Sequence, residues 1–414
     1  MTAPSRDECL ALDRADPLGR CRDDFALPPG VVYLDGNSLG ALPKTALHRL
    51  DEVARVEWGR DLITSWNKHG WIDLPRRVGG KIARLIGAEA DEVIVADSTS
   101  INLFKVLYAA LDLRKERRTI LSERANFPTD LYTVEGLIRT LGGRHRLRLV
   151  EPADLPTALN DDTAVVMLTQ VNYRTGALHD LQAVTAAAQT AGALMVWDLA
   201  HSAGAVRVDL NAAHADFAVG CGYKYLNGGP GAPAFLYAAR RHHAAFNQPL
   251  TGWLGHADPF AFEPSYRPAP GLGRALCGTP PVLSLAALEA GVDGVLAADL
   301  QALRAKSMAL GDLFIAAVEG QGGQRLGLTL ASPRNAAERG SQVSFRHAQG
   351  YPVMQALIAR SVIGDFRAPD ILRFGFAPLY VRYVDAWDAA HALIDILETQ
   401  AWDRPEFKRR SAVT

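Results

Sequence analysis

Short apolar runs alternate with longer segments of helical hydrophobic periodicity between residues 92 and 237. Runs rich in Val, Ile, Leu and Phe that are bounded by polar residues are typical of buried strands. They lie at 92–96, 119–122, 146–150, 164–168, 194–197, 217–220 and 232–237. Helices are predicted between them at 101–113, 129–141 and 181–191, and Gly192 supplies a stop after the last of these.

This alternation of strands and helices indicates βαβ units, and therefore an α/β fold with a mostly parallel sheet covered by helices on both faces. Beyond residue 282 the pattern changes. Helices are predicted at 283–319 (more than one), 351–358 and 385–399, with strand-like pieces at 342–345 and 372–376. The second part of the chain therefore predicts a smaller α+β domain.

Polar and aromatic residues follow several of the apolar runs directly. In an open parallel sheet, ligands bind outside the carboxyl ends of the strands. The segments at these ends are 97–100 (Asp-Ser-Thr-Ser), 126–130 (Asn-Phe-Pro-Thr-Asp), 169–175, 198–201 (Asp-Leu-Ala-His) and 222–225 (Gly-Tyr-Lys-Tyr). The sequence therefore predicts one ligand site built from residues that are far apart in the chain.

The composition is that of an ordinary globular protein and excludes some partners. Of 414 residues, 48% are hydrophobic and 21% are charged, so disorder is not the expected state. The 44 Lys and Arg residues balance 45 Asp and Glu residues. This near-neutral charge argues against a nucleic-acid partner, because phosphate neutralisation needs an excess of Lys and Arg.

Membrane, secretory and metal-binding signals are not found in the sequence. No apolar stretch approaches the roughly 20 residues that cross a bilayer, and the first residues lack a continuous apolar segment. The four cysteines are scattered without CxxC spacing, which predicts reduced thiols in a cytoplasmic protein. No HExxH motif or Cys/His ligand set occurs, so no metal site is expected.

Lys224 and Asp198 each follow an apolar strand. An ammonium group among apolar residues loses hydration, which favours a nucleophilic amine that forms Schiff bases, although such a lysine can also extend to solvent. A carboxylate after a buried strand needs a partner, and the protonated ring nitrogen of pyridoxal phosphate is one. A helix cap is the alternative for Asp198. With His201 three residues later, the set fits that cofactor.

Two further strand ends allow both a structural and a functional interpretation. Segment 97–100 can cradle a phosphate at a helix N-terminus or serve as a plain helix cap. Phe127 can be a core residue or the aromatic face stacked on a flat ring. No GxxxxGK[ST] phosphate loop occurs, and no GxSxG nucleophile motif follows any of the predicted strands, which disfavours P-loop and serine-hydrolase chemistry.

Six short motifs together resemble the kynureninase family, fold-type-I pyridoxal-phosphate enzymes of the aminotransferase class V group. The motifs are YLDGNSLG at 33–40, NFPTD at 126–130, WDLAH at 197–201, CGYKYLN at 221–227, GWLGH at 252–256 and GTPP at 278–281. The resemblance covers about residues 30 to 380. It implies that pyridoxal 5'-phosphate is the cofactor and that Lys224 holds it as a Schiff base.

The resemblance also implies roles around the cofactor ring. Asp198 would pair with the pyridine nitrogen, and His201 would support the polar edge of the ring. Phe127 would stack on the ring, with two polar residues close by: Asp130 and Thr169. Family members vary in sequence at the position of Gly278 and Thr279, so the resemblance does not assign the residue that contacts the aryl ketone of the substrate.

A phosphate site shared between two subunits is implied as well. Thr99, Ser100 and Tyr223 would hold the phosphate. Trp253 and Thr279 would complete the site, and in this family they come from the neighbouring subunit of a homodimer.

The implied activity is hydrolytic cleavage of L-kynurenine to anthranilate and L-alanine in tryptophan degradation, with 3-hydroxy-L-kynurenine as an alternative substrate. Lys224 would move the Cα proton and Tyr223 would protonate Cβ. Arg373 resembles the arginine that clamps the substrate α-carboxylate, and a surface ion pair is its alternative. Trp66, His69 and Trp71 can line the aryl pocket, or lie in the core or at the surface.

The expected organisation is an N-terminal arm at 1–60 that contributes to the small domain, a large cofactor-binding domain at 61–295 and a small domain at 296–414. A cysteine desulfurase or a class V aminotransferase is the nearest alternative. A desulfurase needs a nucleophilic cysteine on a mobile loop, and the position of Cys277 beside the expected cofactor contact disfavours it for that role. A cofactor-binding protein without catalysis is an alternative of a different class, and the Lys224–Asp198 pair argues against it.

Overall fold

A computed structural model describes residues 4–410 and divides into two compact units. The larger unit comprises residues 46–172 and 179–293. The smaller unit comprises the chain up to residue 45, residues 173–178 and the chain from residue 294. The expected domain boundaries differ from this division in two segments, with a further two-residue shift at residue 294, where the smaller unit resumes: residues 46–60 belong with the larger unit, and the segment 173–178 belongs with the smaller one.

Hydrogen bonds explain both differences. The Trp71 indole and the Ser65 hydroxyl donate to the carboxylate and the carbonyl of Glu57, which ties the segment before residue 60 to the larger unit. In the smaller unit, the Leu178 amide donates to the Glu338 carbonyl, and residues 177 and 339 form an isolated antiparallel bridge.

The larger unit contains a seven-stranded sheet in the order β2-β8-β7-β6-β5-β3-β4. Its strands are β2 (Val93–Ala96), β3 (Thr119–Glu123), β4 (Arg146–Val150), β5 (Thr163–Thr169), β6 (Leu194–Asp198), β7 (Phe217–Gly220) and β8 (Ala234–Ala238). Strands β4, β3, β5, β6 and β7 run parallel, and β8 is antiparallel to both of its neighbours. The mostly parallel sheet predicted from the sequence is confirmed.

One strand differs from its prediction in burial. Residues 146–150 form β4, but they are exposed or half-buried, whereas the strand was expected to be buried. The reason is position: β4 pairs only with β3 and forms an edge of the sheet. The alternating Arg residues of this strand suit such an edge, since charged side chains discourage further strand pairing.

The smaller unit contains a four-stranded antiparallel sheet in the order β12-β13-β10-β9 and a two-stranded parallel sheet of β1 with β11. These strands are β1 (Val32–Tyr33), β9 (Thr329–Leu330), β10 (Gln342–Arg346), β11 (Val362–Ile363), β12 (Asp365–Arg367) and β13 (Ile371–Gly375). The strand-like pieces expected at 342–345 and 372–376 correspond to β10 and β13.

The α-helices account for a large part of the remaining described residues. They are α1 (Arg6–Ala15), α2 (Lys44–Glu52), α3 (Ser65–Lys68), α4 (Leu74–Ile86), α5 (Thr99–Asp112), α6 (Pro128–Thr140), α7 (Leu155–Ala158), α8 (Leu181–Thr190), α9 (Val282–Leu296), α10 (Leu300–Gly320), α11 (Gly350–Ala359), α12 (Tyr383–Glu398) and α13 (Pro405–Lys408). The stretch expected to hold more than one helix after residue 282 divides into α9 and α10. Within residues 4–410, no helix is both long enough and apolar enough to span a bilayer.

A buried carboxylate, Asp216, ties the start of β7 to its surroundings. It accepts hydrogen bonds from the Met195 amide and the Arg241 guanidinium, and it contacts the His242 ring at 2.8 Å. Burial raises the pKa of Asp216, but bonds from His242, Met195, Arg241 and Gln189 outweigh it, and the pKa is lowered overall. The stabilisation is therefore present above the unfolded-state pKa of about 4 and is lost as the pH falls through the lower folded-state value.

We expect Asp216→Asn to lower the free energy of unfolding at neutral pH by about 2 kcal/mol, because charge-assisted hydrogen bonds become neutral ones. Thermal unfolding at pH 7 and at about pH 3.5 checks this, since the difference in stability between wild type and variant should become smaller in acid. The control is Asp91→Asn, which removes the aspartate of an exposed Arg240 pair and should change little. An equal destabilisation at both pH values would contradict the expectation.

Candidate active site

Strand register places several predicted site residues side by side. In the parallel pairing of β5 with β6, Thr169 is opposite Asp198, and Asp198 is in turn opposite Val219 of β7. The carboxyl ends of three neighbouring strands therefore meet at one edge of the sheet. The loop that carries Tyr223 and Lys224 begins directly after β7. This is the edge at which ligands bind in open parallel sheets.

Lys224 contacts the histidine predicted to belong to the same site. Its Nζ atom lies 3.0 Å from His201 Nε2. It also lies 5.8 Å from the centroid of the Tyr223 ring, at cation–π distance. The lysine is half-buried and His201 is buried, so the amine does not simply extend into solvent.

Asp198 is a buried carboxylate in a network with other polar residues. One of its oxygens accepts a hydrogen bond from the Ala200 amide at 2.7 Å, and no regular helix begins there, so the alternative role as a helix cap does not apply. Burial raises the pKa of Asp198, while the charge of Lys224 and the Ala200 bond act in the opposite direction. Such a carboxylate needs a cationic partner to remain ionised.

Asp130, at the start of α6, belongs to the same network. The Thr169 hydroxyl lies 3.4 Å from an Asp130 oxygen and donates to the side-chain oxygen of Asn126. Burial, followed by the nearby charge of Asp198, holds the pKa of Asp130 well above its usual range. Two buried carboxylates that share a site rarely ionise together. The structure thus favours one proton on the Asp130–Asp198 pair, on the Asp130 side.

Tyr223 is held in its neutral form. Burial raises the pKa of its phenol, and neighbouring Cys221 and Asp198 raise it further. A phenol with a raised pKa keeps its proton through the neutral range and can donate it to a basic carbon or oxygen atom.

The segment 97–100, predicted to be either a phosphate cradle or a helix cap, leads into α5, and its residues divide between the two roles. Ser98 is the helix cap, because its side chain accepts the Ile101 amide. Thr99 and Ser100 are thus first-turn residues and not caps. Asp97, with φ of 47°, turns the chain between β2 and α5 and pairs at 2.5 Å with the fully buried Lys105. Lys105 lies outside every motif that points to the site in the sequence.

Phe127 is not a core residue. It is 39% exposed and occupies the position before the first turn of α6, at the same edge of the sheet as Thr169 and Asp198. This placement excludes the core interpretation and leaves a ring face at the candidate site.

The remaining implied phosphate residues lie on exposed loops of the larger unit. Thr279 is exposed, and Trp253 is 36% exposed. The Trp253 ring contacts Trp66 at a centroid distance of 6.2 Å and Phe260 at 5.8 Å.

Trp66, His69 and Trp71 do not behave as one group. Trp66 lies in the aromatic cluster with Trp253. His69 pairs with Asp61 at 2.7 Å, and the Trp71 indole donates to Glu57, so these two residues have structural partners. Of the three, Trp66 is the one placed beside an implied cofactor residue.

Arg373 lies on β13 in the smaller unit and is almost fully buried. This rules out the surface ion pair considered from the sequence. Its guanidinium donates to the Asp365 carboxylate, to the Ser38 hydroxyl at 2.6 Å and to the Tyr173 carbonyl at 2.8 Å. Asp365 lies on a three-residue strand without a sequence signal, whereas Ser38 falls within the motif at 33–40.

The described residues contain no group of three or more metal-ligating side chains, and the four cysteines are free thiols. The Cys277 thiol donates to the Leu250 carbonyl at 2.7 Å.

A family model and full-length relatives of this chain carry the same description. A family model described as the kynureninase C-terminal domain matches residues 303–393. A kynureninase from Burkholderia mallei is 58% identical over 99% of this chain and 100% of its own length. A kynureninase from Pseudomonas fluorescens is 54% identical over the same shares.

Solved structures with low sequence identity share the fold. A cysteine desulfurase from Thermococcus onnurineus NA1 aligns with a TM-score of 0.77 and 21% identity, over 92% of this chain and 98% of that one. The cystine C–S lyase C-DES, in complex with cysteine persulfide, aligns with a TM-score of 0.75 and 18% identity, over 89% and 97%. A C-DES variant with glycine linked to its PLP cofactor has a TM-score of 0.76 and 16% identity, over 95% and 99%.

Proposed function

The chain belongs to the kynureninase family, and on this premise we propose that it hydrolyses the Cβ–Cγ bond of L-kynurenine, consuming one water to give anthranilate and L-alanine. The observation that carries the proposal is the edge of the parallel sheet. At this edge Lys224 contacts His201, and the carboxylate of Asp198 is buried at the end of the neighbouring strand.

The residues at this edge fit pyridoxal 5'-phosphate. Asp198 is a buried carboxylate that needs a cation, and a protonated pyridine nitrogen supplies one. Lys224 would hold the aldehyde carbon, and Phe127 would present its face to the ring. The first turn of α5, with Thr99 and Ser100, offers amides and hydroxyls to a phosphate. When bound, this cofactor withdraws electrons from the substrate so that the Cα proton and the Cβ–Cγ bond become labile.

Side chains at this edge of the sheet transfer the protons of the reaction. The Lys224 amine takes the proton from the substrate Cα, and contact with His201 orients it. The Tyr223 phenol, whose raised pKa keeps it neutral, donates a proton to Cβ after cleavage. Burial and the charge of Asp198 hold the pKa of Asp130 well above its usual range, and a proton on Asp130 would leave a single negative charge for the ring nitrogen.

Arg373 is the proposed clamp for the substrate α-carboxylate. A planar guanidinium suits bidentate recognition of a carboxylate, and burial removes competition from water. The Asp365 carboxylate and the Tyr173 carbonyl hold it in place.

A spectrum of the purified holoenzyme followed by addition of L-kynurenine tests the assignment. We expect cofactor absorbance and the appearance of anthranilate fluorescence, with L-alanine in equal amount. Sulfide release from L-cysteine at a higher rate would favour a desulfurase instead, and bound cofactor without turnover of either substrate would indicate a protein without catalysis.

We also propose that the protein is a homodimer whose subunits complete each other's sites. The larger unit exposes several apolar side chains, of which Phe260 contacts both Trp253 and Phe262: Trp58, Leu62, Ile63, Trp253, Phe260, Phe262 and Leu283. An apolar cavity of about 460 Å³ in the same unit is lined by Val53, Trp58, Trp71 and residues 280–284. Apolar surface of this kind supports association with a second copy.

Subunit mixing tests the shared site. Lys224→Ala and Trp253→Ala homodimers should each have little activity. After the two are unfolded together and refolded, mixed dimers hold one intact site, so about a quarter of wild-type activity should return. Analytical ultracentrifugation of each sample confirms the dimer. Absence of complementation in samples shown to be mixed dimers would contradict the shared site.

In this role the protein acts in tryptophan degradation, and we place it in the cytoplasm. The four free cysteines support that location, because thiols stay reduced there.

A further inference from the structure

A compact charge cluster surrounds Arg373 in the smaller unit. Besides Asp365, the guanidinium has the carboxylate of Asp35 at 3.9 Å. Asp35 belongs to the loop that follows β1, and its backbone is fixed: the Asp35 carbonyl accepts the Ser38 and Leu39 amides, and residue 35 bridges to Gly375. These bonds hold the backbone of Asp35 at the position from which its carboxylate reaches the arginine.

The cluster holds more negative charge near Arg373 than that arginine neutralises alone. The charged and titratable groups that face Asp35 are Asp365 and Arg367 of β12, Arg373 of β13 and Tyr33 of β1. Arg367 pairs with Asp365 at 2.7 Å, but its side chain is 39% exposed, so solvent screens its charge. Arg373 is 1% exposed and already pairs with Asp365.

Substrate binding adds another negative charge to this cluster. An amino-acid carboxylate held by Arg373 would be the third carboxylate around one buried guanidinium. Like charges at such distances in a partly desolvated place repel strongly, and the repulsion is relieved when one of them takes a proton.

We propose that Asp35 is a charge-balancing positioning residue, which takes up a proton when an amino-acid carboxylate binds Arg373. The inference rests on the proposed role of Arg373 in carboxylate binding. Asp365 is the direct partner of the arginine, and Asp35, whose carboxylate lies 3.9 Å from the same guanidinium, is the group that changes its charge. The Ser38 hydroxyl donates to Asp365 at 3.2 Å and accepts from Arg373. It therefore holds the carboxylate and the guanidinium in a fixed relative position.

Asp35 titrates near neutral pH, where proton uptake on substrate binding can be measured. Burial and the charge of Asp365 raise the pKa of Asp35 to about 7, against the opposing effect of Arg373. Substrate raises it further. At a pH below the pKa of Asp35 in both the free and the substrate-bound protein, substrate affinity does not depend on Asp35. Between the two pKa values, the affinity for substrate falls by up to about tenfold per pH unit as the pH rises.

The first experiment compares KM for L-kynurenine from about pH 6 to pH 8.5 in wild type, Asp35→Asn and Asp370→Asn. Asp370 is the matched control, since it pairs with Arg346 on the same sheet but is partly exposed. We expect KM of wild type and the control to rise several-fold, while that of Asp35→Asn stays within about twofold. The effect should fall on KM rather than on kcat.

The second experiment measures proton uptake directly. Calorimetric titration with L-alanine in two buffers of different ionisation enthalpy gives the protons taken up on binding, and L-alaninamide, which lacks the carboxylate, gives the background. Wild type should take up more protons with L-alanine than with the amide at about pH 7.5, and Asp35→Asn should lose the difference. Equal uptake with both ligands in wild type would overturn the proposal even if the variant failed to fold.

The carboxylate clamp and the proton uptake by Asp35 are tested by different variants. If Arg373→Lys leaves KM unchanged, the carboxylate clamp itself is wrong. If Arg373→Lys raises KM but Asp35→Asn keeps the wild-type pH dependence, the clamp stands and the proton uptake by Asp35 is overturned. A variant that only loses thermal stability, with the pH profile intact, also counts against it.

Discussion

Replacing Lys224 with alanine is expected to abolish L-kynurenine cleavage, with a loss of at least about a thousandfold in kcat. The amine is the group placed both to hold the cofactor carbon and to move the Cα proton, and its contact with His201 at 3.0 Å orients it for this work. Because the side chain is only half-buried, the fold should tolerate its loss. Absorbance of the bound cofactor and anthranilate release measure the two roles separately.

A surface lysine of the same unit supplies the control for this variant. Lys115→Ala removes an ammonium that is 70% exposed and pairs with Asp112, so it should keep both absorbance and activity. If Lys224→Ala turned over L-kynurenine at the wild-type rate, the assignment of the active site would be wrong.

Asp198→Asn is expected to lower kcat by at least about a hundredfold and to weaken retention of the cofactor. Asparagine keeps the shape and the bond from the Ala200 amide, but it removes the negative charge from a buried position that must face a protonated ring nitrogen. The activity after dialysis, with and without added pyridoxal phosphate, separates lost binding from lost chemistry.

The same substitution at an exposed aspartate, Asp161→Asn, should leave kcat and cofactor content unchanged. Full activity of Asp198→Asn without added cofactor would show that this carboxylate does not support the ring. A loss that excess cofactor restores completely would limit its role to binding.

Much of the fold was predictable from hydrophobic periodicity. The strands β2, β3, β5, β6, β7 and β8 and the helices α5, α6 and α8 lie within a few residues of their predicted positions. Continuous apolar runs report burial on both faces of a parallel sheet, which is a local property of the sequence. The strands β1, β9 and β11 were missed because two residues are too short to show a period.

The sequence by itself also indicated the candidate residues of the site, since Thr169, Asp198 and Lys224 end or follow predicted strands. Only the tertiary structure decided which residues meet. Sheet register brings Thr169 opposite Asp198, and the packing of distant segments places Asp35 and Asp365 beside Arg373. Burial then sets which carboxylates keep a proton, as at Asp130. Charge state depends on distance and desolvation, and neither can be read from residue order.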